Sequence, residues 1–273
     1  YGKSIPEKAK ILQVDIDPLD IGTNRGADVG IAGDVGAVLQ QIVRAMGEIA
    51  GLREERLRTK WIAEIRNVEN AMQERLAPQL LSDLRPIHPN RFSAELKKFI
   101  DRDTIVVGDG GDIVALASKI LDVHLPGNWL DPGPLGCLGV GMPFAIAAKL
   151  ARPEKRVMVL FGDGSFGLTG FEFDTAVRFD LPIVTIIGND AAWGQMRKPQ
   201  LATFGEERAV ATALAPTRYD KVVEALGGYG ELVTDPEQIV PALERAEASG
   251  KPACVNVMIH PNPKDLMRNP PKY

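Results

Sequence analysis

The sequence predicts an α/β fold organised on a parallel sheet, and three observations carry that prediction. Apolar runs too short for helices recur along the chain, each closing in a Gly- or Asp-rich turn. Helical periodicity fills the intervals, as a crossover between parallel strands requires. The clearest unit lies between Val157 and Trp193: an apolar run from Val157 to Phe161, a helical pattern through Phe171, Thr175 and Val177, and a second run from Ile183 to Ile187.

Taken in order, Ile11 to Ile16 reads as a strand ending in Asp15-Ile16-Asp17-Pro18, and residues 27–46 as a short strand and a helix. So few strands cannot cover both faces of a parallel sheet, so residues 1–50 are expected to be the C-terminal part of a larger, Rossmann-like domain. Residues 53–77 put Leu57, Trp61, Ile62, Ile65, Val68, Met72 and Leu76 at helical spacing, an amphipathic connecting helix with Trp61 on its core face. Ala77 to Pro89 holds three prolines and reads as a linker, so residues 51–88 join two domains.

The second domain, residues 89–260, opens with a helical pattern from Arg91 to Ile100 and a strand from Thr104 to Val107, followed by Gly108-Asp109-Gly110-Gly111-Asp112. Beyond the central unit come a helix from Tyr219 to Leu226, a strand at Glu231 to Val233, a helix from Pro236 to Ala248 announced by Asp235-Pro236, and a last strand from Ala253 to Met258. Residues 261–273 are too rich in proline for helix or central strand. They read either as a disordered tail or as a flap over the site, with Lys264, Arg268 and Lys272 available for phosphates.

The chemistry gathers where the strands end. Asp163 follows the first run of the central unit and Asn189-Asp190 the second, so both clusters should emerge at the carboxyl edge of one sheet, where open α/β sheets bind ligands. The carboxylate of Asp163, the amide oxygen of Asn189 and the backbone carbonyl of Ala191 are hard oxygen donors, a set that suits Mg²⁺ completed by phosphate and water. Gly162 and Gly164 flank Asp163 without a Cβ, which lets the backbone approach a diphosphate.

This Gly-Asp-Gly strand end, followed after about two dozen residues and a second strand by Asn189, resembles the cofactor motif of thiamine diphosphate (ThDP) enzymes. The resemblance implies a ThDP diphosphate-binding domain over residues 89–260, preceded by the tail of a central domain whose strand end holds the ribose of ADP or FAD. Asp15 and Asp34 are candidates for that contact or for helix caps. Gly111, Asp112, Gly162, Asp163, Gly164, Ser165, Asn189 and Ala191 are the implied diphosphate and Mg²⁺ contacts; Gly188 stands where the family usually has another asparagine. In the Gly136–Ile146 segment, the resemblance gives Gly136 a carbonyl that accepts from the cofactor's 4'-amino group and Leu138 a wedge that keeps its rings bent. Trp193 and Gln195 begin the stretch that faces substrate in related enzymes, or are ordinary packing residues.

Composition excludes several classes. With 273 residues, 45% of them hydrophobic, the chain can bury a substantial core, and a formal charge of −4 gives no basic surface for nucleic acid. Cys137 and Cys254 form neither a disulfide framework nor a zinc site, so a cytoplasmic setting is expected; no apolar run spans a membrane. Glycines 136, 139 and 141 run G-x-x-G-x-G with no strand directly before them, so the dinucleotide fingerprint of a dehydrogenase is not met.

Within the family the chain looks closest to 2-hydroxyacyl-CoA lyases, which cleave a 2-hydroxyacyl-CoA to an aldehyde or ketone and formyl-CoA and run in reverse as carboligases. Oxalyl-CoA decarboxylase and acetolactate synthase are the alternatives, and a non-catalytic ThDP-binding subunit is the reading from another class. The family's glutamate, which activates the cofactor's pyrimidine, belongs to a pyrimidine-binding domain that this sequence lacks; Glu172 is a solvated or capping residue rather than its replacement. The isolated chain is therefore expected to need that domain, to be inactive alone, and to work as a dimer or tetramer.

Overall fold

The computed structural model describes residues 5–48 and 55–261. The chain divides into two compact units, with the break between Met72 and Gln73. In the first unit β1 (Leu12–Asp15) pairs in parallel with β2 (Val29–Ala32), and α1 (Val35–Glu48) follows. Asp34 opens α1 as a cap, its Oδ1 accepting the Ala37 N–H at 2.8 Å. The sheet is left half open, with Leu12 and Val29 exposed.

Helix α2 (Glu55–Leu80) covers most of the helical pattern and runs through Pro78, so the first proline of the expected linker lies inside it. Trp61 differs from its expected core position: it is 64% exposed. Periodicity identifies the apolar face of a helix without supplying what covers it. The side chain of Leu57 lies outside the described residues.

The second unit is a parallel sheet of six strands in the order β4-β3-β5-β6-β8-β7. Its strands are β3 (Ile105–Asp109), β4 (Trp129–Leu130), β5 (Val157–Gly162), β6 (Val184–Asn189), β7 (Tyr229–Val233) and β8 (Ala253–Met258). Along β5, Met158 and Leu160 enter one core with Phe92, Leu96, Ile186 and Leu243, whereas Val157, Val159 and Phe161 enter the other with Met142, Phe173 and Ile187. Burial on both faces explains why these strands read as continuous apolar runs rather than as alternation.

The helices covering the sheet are α3 (Pro89–Phe99), α4 (Asp112–Ala117), α5 (Gly141–Ala151), α6 (Asp163–Thr169), α7 (Glu172–Arg178), α8 (Gly194–Phe204), α9 (Tyr219–Ala225) and α10 (Ile239–Ala248). Helix α3 is fixed by a His88 cap whose Nδ1 accepts the Asn90 N–H at 3.0 Å, with Pro89 in the first turn. The helical pattern expected within 163–178 is two short helices broken at Gly170, and the two-residue β4 precedes the 136–141 glycines where no strand was expected.

The strand order also sets where the sheet can take a ligand. From β3 the chain crosses to β4 on one side and then to β5 on the other, so the direction of winding reverses between β3 and β5. Crossover helices diverge at such a point and leave a crevice at the carboxyl ends of the strands. Among the described residues no helix is long and apolar enough to cross a membrane.

Candidate functional site

A cavity of about 350 Å³ lies at this switch point. Its walls come from the turns after three neighbouring strands: Gly110–Asp112 after β3, Gly162–Ser165 after β5, and Gly188 and Asp190 at the end of β6. Gly136 and Leu138 line it from the segment before α5, and Trp193, Gln195, Met196 and Lys198 from α8 and its cap. Ten of the twelve residues expected at the site therefore meet in one place: Gly111, Asp112, Gly136, Leu138, Gly162, Asp163, Gly164, Ser165, Trp193 and Gln195.

Asn189 and Ala191, the other two, are absent from the cavity wall, and the reason is where β6 stops. Asn189 is still a strand residue, paired with Met258, so its side chain belongs to a face of the sheet. It is fully buried: Nδ2 donates to the Thr217 carbonyl and to Asn256 Oδ1, each at 3.1 Å, and Oδ1 accepts the Ala191 N–H at 3.2 Å. Ala191 sits in the left-handed region at φ 55°, and its carbonyl accepts the Leu214 N–H at 2.7 Å. The first residue past the strand is Asp190, just as Asp163 is the first past β5, and these are the two that share the cavity. The sequence reading names Asn189 and not Asp190, because where β6 stops is set by its pairing with β8 rather than by adjacent residues.

A buried carboxylate, Asp163, and a half-buried one, Asp190, therefore face one another. Burial pushes the carboxyl of Asp163 above its ordinary range, against the opposing effect of the Gly164 and Ala192 N–H groups; Ala192 N lies 3.1 Å from Asp163 Oδ2. Asp190 is raised by burial first and by the charge of Asp163 second, with Lys198 pulling the other way. Lys198 is paired with Asp112. Three carboxylates, Asp112, Asp163 and Asp190, thus line the cavity with one lysine, an arrangement that calls for further positive charge. Among the described residues no three His, Cys, Asp or Glu side chains are gathered to hold a metal. A cation bound here must take part of its oxygen shell from backbone, water or a ligand, as Mg²⁺ bound to a diphosphate does.

Two of the glycines also answer a packing requirement. A Cβ on Gly164 would lie 2.6–2.8 Å from the indole of Trp193, and one on Gly111 would meet Gln195 at 2.2 Å. At these positions glycine lets the start of α8 close onto the strand-end turns, whereas a Cβ on Gly162 would make only ordinary contacts, the nearest with Ser165 Oγ at 3.6 Å. Gly136 is in the left-handed region at φ 64° with open space around it, which fixes the direction of its carbonyl. Glu172 starts α7, accepts the Thr175 hydroxyl at 2.8 Å and stays out of the cavity wall. Lys264, Arg268 and Lys272 lie outside the described residues.

Comparison with known proteins agrees with this geometry. Residues 109–257 match the family model of the thiamine pyrophosphate enzyme, C-terminal TPP binding domain. The chain is similar to the acetolactate synthase large subunit of Mycobacterium tuberculosis, with 48% identity over 203 residues, 74% of this chain and 37% of that protein. It is similar to 2-hydroxyacyl-CoA lyase 2 of Bos taurus, with 34% identity over 271 residues, 95% of this chain and 41% of that one. The corresponding lyase of Xenopus laevis shows 37% identity over 242 residues, 85% of this chain and 37% of its own. The chain thus spans about two fifths of the length of the curated relatives it matches.

Proposed function

Starting from the fact that this chain belongs to the thiamine pyrophosphate enzymes through their C-terminal TPP-binding domain, we propose that it forms the diphosphate- and Mg²⁺-holding part of a carbon–carbon lyase. The substrate class is a 2-hydroxyacyl-CoA, cleaved reversibly to an aldehyde or ketone and formyl-CoA. The observation that carries the cofactor reading is the facing pair Asp163, buried, and Asp190, half-buried, like-charged and set just past two adjacent strand ends. ThDP, when bound, supplies a nucleophilic ring carbon that adds to a carbonyl and stores electrons while the neighbouring bond breaks.

The residues of this chain do the holding. Asp163 and Asp190 take the metal, and Gly111 and the Gly162–Ser165 turn lie along the diphosphate. The Gly136 carbonyl and the Leu138 side chain fix the pyrimidine and the bend between the rings. Trp193, Gln195, Met196 and Lys198 project from the start of α8 towards the substrate side, with Lys198 able to exchange its Asp112 partner for an anionic substrate group. The glutamate that activates the pyrimidine comes from a pyrimidine-binding domain outside this sequence, and the assembly is oligomeric.

Support for the lyase comes from the similarity to 2-hydroxyacyl-CoA lyase 2, which extends over 95% of the chain and includes the first unit. Acetolactate synthase is the second reading, favoured by the higher identity, 48%, over a shorter span. The full-length protein, assayed with a panel of 2-hydroxyacyl-CoA esters and with pyruvate, separates them. Aldehyde release from the esters is expected; acetolactate formed from pyruvate, with the esters untouched, would select the second reading.

A further inference from the structure

The last residue of β3, Asp109, is fully buried and, among the described residues, makes no ion pair; its charge is answered by peptide groups. Gly139 N lies 3.1 Å from both carboxylate oxygens and Gly141 N 2.7 Å from Oδ2, with the Val140 amide beside them. The left-handed Gly139 (φ 95°) followed by the right-handed Val140 (φ −86°) turns these successive N–H groups inward, the backbone nest that elsewhere receives phosphate. Here the protein fills the nest with its own carboxylate. The main chain of the same residue reaches the metal motif, because the Ser165 hydroxyl donates to the Asp109 carbonyl. One residue thus joins the segment carrying Gly136 and Leu138 to the turn carrying Asp163.

We propose that Asp109 is a positioning residue that sets the 136–141 segment against the metal turn before any cofactor arrives. The inference rests on the cofactor reading above for the roles of Gly136 and Leu138. An ionised acceptor is needed because charge-assisted bonds to three adjacent amides are stronger than those an amide side chain can make. An asparagine would also turn a donor towards those donors. The segment also packs closely against β3 and β5: a Cβ on Gly141 would lie 2.3 Å from the Phe161 ring and 3.0 Å from Asp109 Cβ.

The test uses the full-length protein and two measurements. Hydrogen exchange of the 139–141 amides in the wild type without cofactor is expected to be slow already; exchange that is fast until ThDP and Mg²⁺ are added would overturn the proposal. In Asp109→Asn the same amides should exchange at least about tenfold faster while those of β3 stay protected, and ThDP affinity by calorimetry should fall by at least about tenfold. A change in either property without the other, or in neither, overturns it. Failure of the wild type to bind ThDP would instead strike the cofactor reading and leave the exchange result intact.

Discussion

Asp109 and Asp163 end neighbouring strands, are both buried, and are both pushed above the ordinary carboxylate range by desolvation, yet they ask for opposite things. Asp109 is surrounded by peptide N–H groups from one glycine-rich segment, so its charge is spent on structure. Asp163 has amides on one side and the carboxylate of Asp190 on the other, the side on which the proposed function puts a cation. A buried aspartate therefore reveals its role through what faces it, and burial alone does not separate the two.

The largest effect that would sharpen this contrast is at Asp163. Asp163→Asn keeps an acceptor for the Ala192 N–H and removes the charge. Calorimetric titration with ThDP and Mg²⁺ should show affinity lost by at least about a hundredfold, since even groups that merely orient a metal ligand are worth ten- to a hundredfold. The melting temperature should hold or rise, because a repulsive pair is relieved. A lower melting temperature with intact binding would break the comparison.

Asp190 and Asn189 provide the next test, adjacent residues with opposite assignments. Asp190→Asn is expected to weaken Mg²⁺-dependent cofactor binding without loss of stability. Asn189→Ala strips partners from Thr217 and Asn256 and should cost about 1–3 kcal/mol in denaturant unfolding. Reversal of the two phenotypes would restore Asn189 as the ligand.

Gly164 and Gly162, on either side of Asp163, should separate as well. Gly164→Ala forces the Trp193 indole to move and should cost about 1–3 kcal/mol, read from the unfolding midpoint. Gly162→Ala meets no such obstacle, and equal losses at both would refute the packing argument.

The smallest effect concerns a third buried aspartate, Asp220. Burial alone would raise its carboxyl, but hydrogen bonds from Arg218 and Asn256 more than offset this and hold it below the ordinary range. A lowered folded pKa gives stability that is fully present above the unfolded value and is lost as pH falls through the folded one. The exposure of Arg218, 49%, limits the contribution to less than about 1 kcal/mol. Asp220→Asn should therefore flatten the acid limb of the stability profile slightly, below the unfolded carboxylate range; a steeper acid limb would contradict the sign.

The class of fold, the strands from Ile105 to Met258 other than the two-residue β4, and the Gly162–Ser165 turn as a candidate site are legible in the sequence, because local periodicity and turn composition are written in adjacent residues. The sequence also brought Gly111, Gly136, Leu138, Trp193 and Gln195 to the site through resemblance to a family, not through spacing. That Asp190 lines the cavity and Asn189 does not is visible only in the tertiary structure, since the end of β6 is set by its pairing with Met258, sixty-nine residues further on. Likewise, the nest around Asp109 and the indole against Gly164 are contacts between segments far apart in the chain. Which polar group faces a cavity depends on such long-range register, and no local pattern encodes it.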